Sequence, residues 1–395
     1  MNSHGQILQQ PSSDTPMSRI PTLTINAPAI AVLSDATRVS FTLDTPEGPF
    51  ELFYHIRGSS VTADTTAAVA AALLPAMRRG WAIQTEEPVS ARVRAAIPDI
   101  EDIIHAWDSS YKKIPLNLLN NSYMTSTCDG RRTGVFFSGG MDSFYTFLKN
   151  KDRVDALIFV LGFDIALNNH HLKQKVTTAI RQAAEQFNLP LIEVETNLRD
   201  FSDRYTHWSL SHGAALASVA LLLGSEMHKI YIPASDSYAD LVPCGSHPLL
   251  DPLWSTEALQ IIHDGCEANR VQKAAIIAQN DVALQTLRVC WKNPDSTYNC
   301  GRCEKCLRTM VNLYAVGVLD RCTTFAVQLE PWRIVWMRVG DDTSIAAYWK
   351  ENLAAVKQRG SSPVLEAAIQ AATRKAGPVR RLFRSARAKY RNAVS

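Results

Sequence analysis

The chain has 395 residues, 46% hydrophobic and 20% charged, enough for two or three domains at roughly 150 residues each. No run approaches the roughly 18 apolar residues of a membrane-spanning helix; the longest, from Ala214 to Gly224, is interrupted by Ser218. Net charge is +3, yet Arg374, Lys375, Arg380, Arg381, Arg384, Arg387, Lys389 and Arg391 close the chain with no acid among them, which leaves the remainder at about −5.

In chain order, the polar, Pro/Ser-rich start has no basic segment followed by an apolar one, so residues 1–17 are expected to be a disordered leader and the protein cytoplasmic. Residues 18–130 then read as a small α+β domain. Val39-Ser-Phe-Thr-Leu and Phe50-Glu-Leu-Phe-Tyr-His-Ile alternate apolar and polar around the turn Thr45-Pro-Glu-Gly-Pro, which predicts a hairpin. A helix is expected over Thr65 to Arg79, capped by Asp64 and kinked near Pro75, and another over Asp99 to Lys112.

From residue 131 to 325 the pattern becomes strands alternating with helices. Short continuous apolar runs at Gly134–Phe137, Ala156–Leu161, Pro190–Val194, Lys229–Pro233 and Leu259–Ile262 are separated by helical stretches at 143–150, 171–188, 212–228 and 269–279. Continuous apolar strands with helical crossovers predict a doubly wound, parallel, five-stranded α/β sheet with its site at the strand carboxyl ends. Residues 326–395 are expected to be a helical extension, over 345–357 and 364–375, ending in the basic tail. That tail suits an acidic carrier protein or nucleic acid, or is simply solvated. Trp332, Trp336 and Trp349 are expected to pack.

Two constellations carry chemistry. Between the first strand and first helix of the α/β unit stands Ser138-Gly139-Gly140-Met141-Asp142-Ser143. The glycines let backbone approach an anion, the hydroxyls of Ser138 and Ser143 donate, and the helix start favours negative charge. Asp142 serves either as a Mg²⁺ ligand bridging to phosphate or as a helix cap. The second is Cys290 followed by Cys300-Gly-Arg-Cys303-Glu-Lys-Cys306. Four such thiolates close a tetrahedron around Zn²⁺, and an Fe–S cluster on the same four is the alternative that spacing does not exclude.

Strand, SGGxDS and helix together resemble the PP-loop ATP pyrophosphatases. With the following cysteine, CGxCxxC and Arg308, the pattern from about 130 to 320 is most similar to the 7-cyano-7-deazaguanine synthases. The resemblance implies a HUP-type sheet with a zinc knuckle and the cofactors ATP and Mg²⁺. It also implies ATP cleavage to pyrophosphate and an adenylated substrate, here a carboxylate or carbonyl oxygen attacked by ammonia or an amine. Ser138, Gly139, Gly140, Asp142 and Ser143 would hold the pyrophosphate, and Asn269-Arg-Val-Gln-Lys273 resembles a family helix start that makes Lys273 and Arg270 phosphate contacts. Asp142, Lys273 and Asp236 are the candidate catalytic residues. Residues 18–130, 326–395 and the segments around Ser235–Asp240 and Ser246–Asp251 depart from that family, which detaches the substrate from the chemistry.

Asp164 and Asp236 follow strands and suit Mg²⁺ or substrate, though acids there also make turns. His207 and His212 flank a helix start, and His247 and Asp251 suit acid–base work in a Pro-containing loop. Cys244 or Cys266 would be needed by the alternative function, PP-loop sulfur transfer to RNA or a small molecule. A nucleotide-binding module without turnover is the third reading. Expected partners are a small-molecule substrate and ATP, with no membrane and with a homodimer left open.

Overall fold

The computed structural model describes residues 20–119, 132–337, 339, 343–360 and 362–374. The expected leader, Cys128 and the basic tail beyond Arg374 lie outside the described residues. The first part runs β1 (Thr22–Ile25), β2 (Ala29–Val32), β3 (Thr37–Thr45), β4 (Gly48–Arg57), α1 (Thr65–Arg79), β5 (Ala82–Thr85), α2 (Ala91–Trp107) and β6 (Leu116–Asn117). The expected hairpin is β3–β4, paired Thr37 to Ile56 through Thr45 to Gly48. Asp64 caps α1 by accepting from the Thr66 N–H at 2.8 Å, and the helix runs through Pro75 to end on Gly80. Residues 65–77 are all buried, as an alanine-rich helix with no polar face must be. α2 starts eight residues before the expected Asp99, capped by Ser90, and carries Pro98 inside it.

The second part runs β7 (Arg132–Phe136), α3 (Met141–Lys149), β8 (Ala156–Leu161), α4 (His170–Gln186), β9 (Leu191–Thr196), α5 (Leu198–Ser202), α6 (Trp208–Leu222), β10 (Met227–Pro233), β11 (Gln260–Asp264), α7 (Arg270–Ile277) and α8 (Asp281–Thr286). Four helices follow: α9 (Glu304–Ala315), α10 (Pro331–Met337), α11 (Thr343–Arg359) and α12 (Pro363–Thr373). β11, β10, β7, β8 and β9 lie side by side in that order, every neighbouring pair parallel. Numbered along the chain this is 3-2-1-4-5, the doubly wound order that reverses between its first and fourth strands, here β7 and β10.

The sheet does not stop there. β4 pairs antiparallel with β9, Tyr54 opposite Thr196 and Ile56 opposite Val194, so the N-terminal strands continue into one mixed, eleven-stranded sheet. The expected five-stranded parallel sheet is therefore corrected to a block within a larger one. The physical reason is the edge: β9 alone would leave a row of unpaired backbone groups, and β4 satisfies them.

One apolar cluster joins the first strands with α1, α2 and α6. Another joins β7 and β8 with α3, α4, α8 and the cysteine loop. α9 to α12 make a third around Leu307, Ile334, Trp349 and Ile369. Trp349 packs as expected, but Trp332 and Trp336 are 54% and 68% exposed, which corrects their assignment to packing. No helix among the described residues is long and apolar enough to cross a membrane.

Candidate functional site

The turn from β7 into α3 is residues 137–140. Gly139 sits at φ +72°, and a Cβ there would come within 2.9 Å of Ile180 Cδ1, so only glycine fits without strain. Its carbonyl accepts the Arg288 N–H at 2.8 Å. Ser138 is exposed, with Oγ 3.4 Å from the Gly140 N–H. Ser143 is buried and donates to the Gly140 carbonyl at 3.0 Å, inside the turn itself. No side chain caps the start of α3.

Opposite this turn, α7 opens with the capping box of Asn269 and Gln272 and directs Arg270 and Lys273 at α3. Arg270 Nη1 reaches both Asp142 carboxylate oxygens, at 3.2 and 3.0 Å, and Lys273 Nζ lies 3.3 Å from Oδ1. Lys273 also donates to the Ala234 carbonyl at 2.6 Å, tying the end of β10 to the turn after β7. This is the crevice where the strand order reverses. Burial works against the Asp142 charge, but Arg270, Lys273 and Lys305 outweigh it and hold the carboxyl down at about 2. Asp142 is thus an ion-paired carboxylate in the first turn, not the helix cap.

The neighbouring carboxylates do not satisfy every guanidinium donor. Arg270 is 2% exposed, and its Nε and Nη2 have no hydrogen-bond partner among the described residues. Arg308, 6% exposed, leaves Nη1 unpartnered, and its Nε makes only an ion pair with Glu304 at 3.4 Å, without hydrogen-bond geometry. Burial and the neighbouring Arg270 charge push the Arg308 guanidinium down. Arg288 gives Nη2 to Asn293 Oδ1 at 2.8 Å and leaves a buried Nε unpartnered. Desolvated donors without acceptors are costly, and an anion would satisfy them.

α11 closes one side. The Tyr348 ring lies 4.1 Å from the Arg308 guanidinium carbon and 5.6 Å from that of Arg270, and its hydroxyl donates to Asp236 Oδ1. The Arg270 backbone N–H donates to Glu351 at 3.3 Å, and Trp349 Nε1 donates to Glu304 at 3.0 Å.

Beside the array is the knuckle. The sulfurs of Cys290, Cys300, Cys303 and Cys306 all lie within 4.8 Å of one another, with Cys290 to Cys303 at 4.0 Å and Cys300 to Cys306 at 3.9 Å. Shared hydrogen bonds among the close thiols hold Cys290 below its usual range and push Cys303 and Cys306 above theirs. Four sulfurs this close cannot all lose their protons without a cation among them, so the group could hold a metal ion. The cation array and the knuckle share a strap, because Arg288 precedes Cys290 by two residues and Arg308 follows Cys306 by two.

The structure therefore brings together Asp142, Arg270 and Lys273, with Asp236 linked through Tyr348. Asp164 stands apart, exposed on a cavity of about 820 Å³ between the ends of β8 and β9 that Arg199, Lys292 and Asn293 also line. His207 caps α6, and His212 lies in its second turn. His247 and Asp251 fall in a separate buried group with Ser246 and His263. Cys266 is 2% exposed. Sequence reasoning missed Arg288, Tyr348 and Glu351; only Arg308 carried a signal, its place just after the cysteines. No family model matches the chain, and comparison with curated proteins and with solved structures gives no match.

Proposed function

We propose that the chain is an ATP-dependent C–N ligase that adenylates a carboxylate or carbonyl oxygen of a small molecule, releases pyrophosphate, and lets ammonia or an amine displace AMP. The observation that carries this reading is the set of buried, unpartnered guanidinium donors of Arg270 and Arg308 around Asp142, two residues past the Gly139–Gly140 turn. A chain of phosphates offers several anionic oxygens to such forks and to the start of α3. The 3-2-1-4-5 parallel block, with this turn at its switch point, supports a HUP-type nucleotide site.

In this reading Ser138 and the Gly139–Gly140 backbone cradle the leaving pyrophosphate, and Ser143 keeps the turn closed. Arg270, Lys273 and Arg308 stabilise the charge that develops on the leaving group. Asp142 holds Arg270 and Lys273 side by side. One carboxylate facing phosphate oxygens is also a donor set that Mg²⁺ accepts, and that ion, when bound, neutralises phosphate charge. Asp236, fixed by Tyr348, orients the substrate. The 820 Å³ cavity is of a size that takes a nucleoside.

At the knuckle the reading is structural zinc. Bonds of about 2.3 Å in a tetrahedron put sulfurs about 3.8 Å apart, close to the 3.9 and 4.0 Å found, whereas a cluster interposes iron and sulfide and spreads them wider. A zinc ion would anchor the strap that carries Arg288 and Arg308.

The test is calorimetric titration with MgATP, followed by a pyrophosphate-release screen over carboxylates with ammonia present. Arg270→Met and Arg308→Met are each expected to weaken ATP binding by about tenfold or more, the worth of a charged hydrogen bond. Absence of binding by the wild-type protein at millimolar ATP overturns the reading.

A further inference from the structure

Where the loop between β10 and β11 meets α6, a thiol and an imidazole stand together that the proposed chemistry leaves unused. Cys244 Sγ lies 3.9 Å from His212 Nε2, and His212 Nδ1 lies 3.1 Å from the Trp208 carbonyl. A carbonyl only accepts, so Nδ1 carries the proton and Nε2 of the neutral ring presents its lone pair to the Cys244 thiol. The ring is neutral because burial lowers its proton affinity, although Asp251 and Asp164 favour the imidazolium through space. Thiol, base and an orienting acceptor thus stand in series, the pattern of an activated nucleophile.

The pair is held rigidly. The Gly245 N–H donates to the Ser209 carbonyl at 2.7 Å, a Cβ on Gly213 would come within 2.0 Å of the Gly245 carbonyl oxygen, and one on Gly245 within 2.5 Å of Leu210 backbone. Backbone against backbone at this distance fixes Cys244 over the second turn of α6. The surroundings are also incomplete: Asp251, fully buried, has its Oδ2 taken by Ser246 and His263, while Oδ1 has no hydrogen-bond partner among the described residues. The same loop reaches the cation array, since Ala234 accepts from Lys273 and Asp236 both binds Tyr348 and acts electrostatically on Cys244 and His247.

We infer that Cys244 and His212 form a nucleophile–base dyad that takes the acyl group from the adenylate as a thioester before the amine arrives; this rests on the adenylation reading above. His212 Nε2 removes the thiol proton, the C–S bond forms, and the C–O bond to phosphate breaks as AMP leaves with the electron pair. The amine then forms the C–N bond, the thiolate departs and regains its proton from His212, and the surplus amine proton passes to water. Nothing is oxidised or reduced. The thioester keeps the activated acyl group bound after AMP has gone. Burial and the Asp236 charge hold the resting thiol up at about 11, so the base is needed.

The test uses the full chain and p-nitrophenyl acetate without ATP. One acetyl group should appear on Cys244 by peptide mass mapping, be released by hydroxylamine, and discharge faster with an added primary amine. His212→Asn should slow acetylation at least about a hundredfold, the low end of what a positioned base supplies, with an unchanged melting temperature, and Cys244→Ala should abolish it. Should His212→Asn destabilise the fold, His212→Gln is read instead. Acetylation of Cys266 or lysines with Cys244 untouched, or wild-type rates in both His212 variants, overturns the dyad, and if ATP still binds, the adenylation reading stands without it. Acetylated Cys244 in a protein that binds no ATP overturns the transfer from an adenylate.

Discussion

Between residues 20 and 119 every buried side-chain donor and acceptor among the described residues has a partner, whereas at the ends of β7 and β10 three arginines keep buried donors without one. The first region closes on itself through apolar strands and the wholly buried α1. The second holds Arg270 and Lys273 on Asp142, with Arg308 beside them on a 3.4 Å ion pair to Glu304, and leaves guanidinium donors over. A fold stabilised for its own sake does not retain such an imbalance, because unpaired charge in a desolvated crevice lowers stability. The contrast separates a region held by packing alone from one in which a bound anion would contribute.

The largest effect that can break this comparison is Asp142→Ala. Removing the acid that ion-pairs with both Arg270 and Lys273 leaves two buried cations without that partner, at a cost of about 3–5 kcal/mol in urea unfolding. Added pyrophosphate should restore much of it, since an anion that binds only the folded chain stabilises by mass action. Leu73→Ala in α1, fully buried, should cost about 2–5 kcal/mol through its cavity with no rescue by pyrophosphate. Equal rescue of both variants would erase the distinction.

Acid sharpens the same point. The Asp142 carboxyl is depressed to about 2 in the folded chain, so its pairing contributes stability that is complete above the ordinary carboxylate range and disappears as pH falls towards 2. The contribution is about 2 kcal/mol. His263 runs the other way: burial opposes its charge, but hydrogen bonds to Asp251 and Cys266 raise it to about 9. Its contribution, about 3 kcal/mol, is full below about pH 6.5 and lost as pH rises through 9. His263→Gln should flatten the alkaline limb of a stability–pH curve and leave the acid limb to Asp142. Metal analysis supplies an independent check on the strap. One zinc per chain is expected, and Cys300→Ser should release it while weakening ATP binding through Arg288 and Arg308. A zinc-free wild-type protein would remove that link.

Much of this was legible in the sequence where the signal was local. The hairpin pattern of Val39 to Ile56, the cap at Asp64, the five apolar strands, the turn at Gly139 and the four cysteines all follow from neighbours within a few residues. What was not legible is long-range. No alternation pattern announces that β4 pairs with β9, because register across 140 residues is set by which edge needs covering. Tyr348 and Glu351 gave no signal, since α11 reads only as a helix until its packing on Arg270 and Arg308 is seen. The isolated cysteine at 244 acquires meaning only from His212, 32 residues earlier and one helix away.

The smallest effect tests whether the first region is truly indifferent to ligand. Tyr54 on β4 hydrogen-bonds Ser218 on α6, and Ser218 in turn donates to the Ala67 carbonyl on α1 at 2.6 Å, so three elements meet at one hydroxyl pair. Tyr54→Phe keeps the ring in the core and leaves Ser218 its bond to Ala67, so only one buried hydrogen bond is lost, about 1 kcal/mol. Ser218→Ala on the same background should add less than it does alone, because the shared bond is already gone. ATP affinity should stay within about twofold in both, less than 0.5 kcal/mol. A larger change would mean that the continuous sheet transmits strain from β4 through α6 to His212, and the two regions would then have to be treated as one.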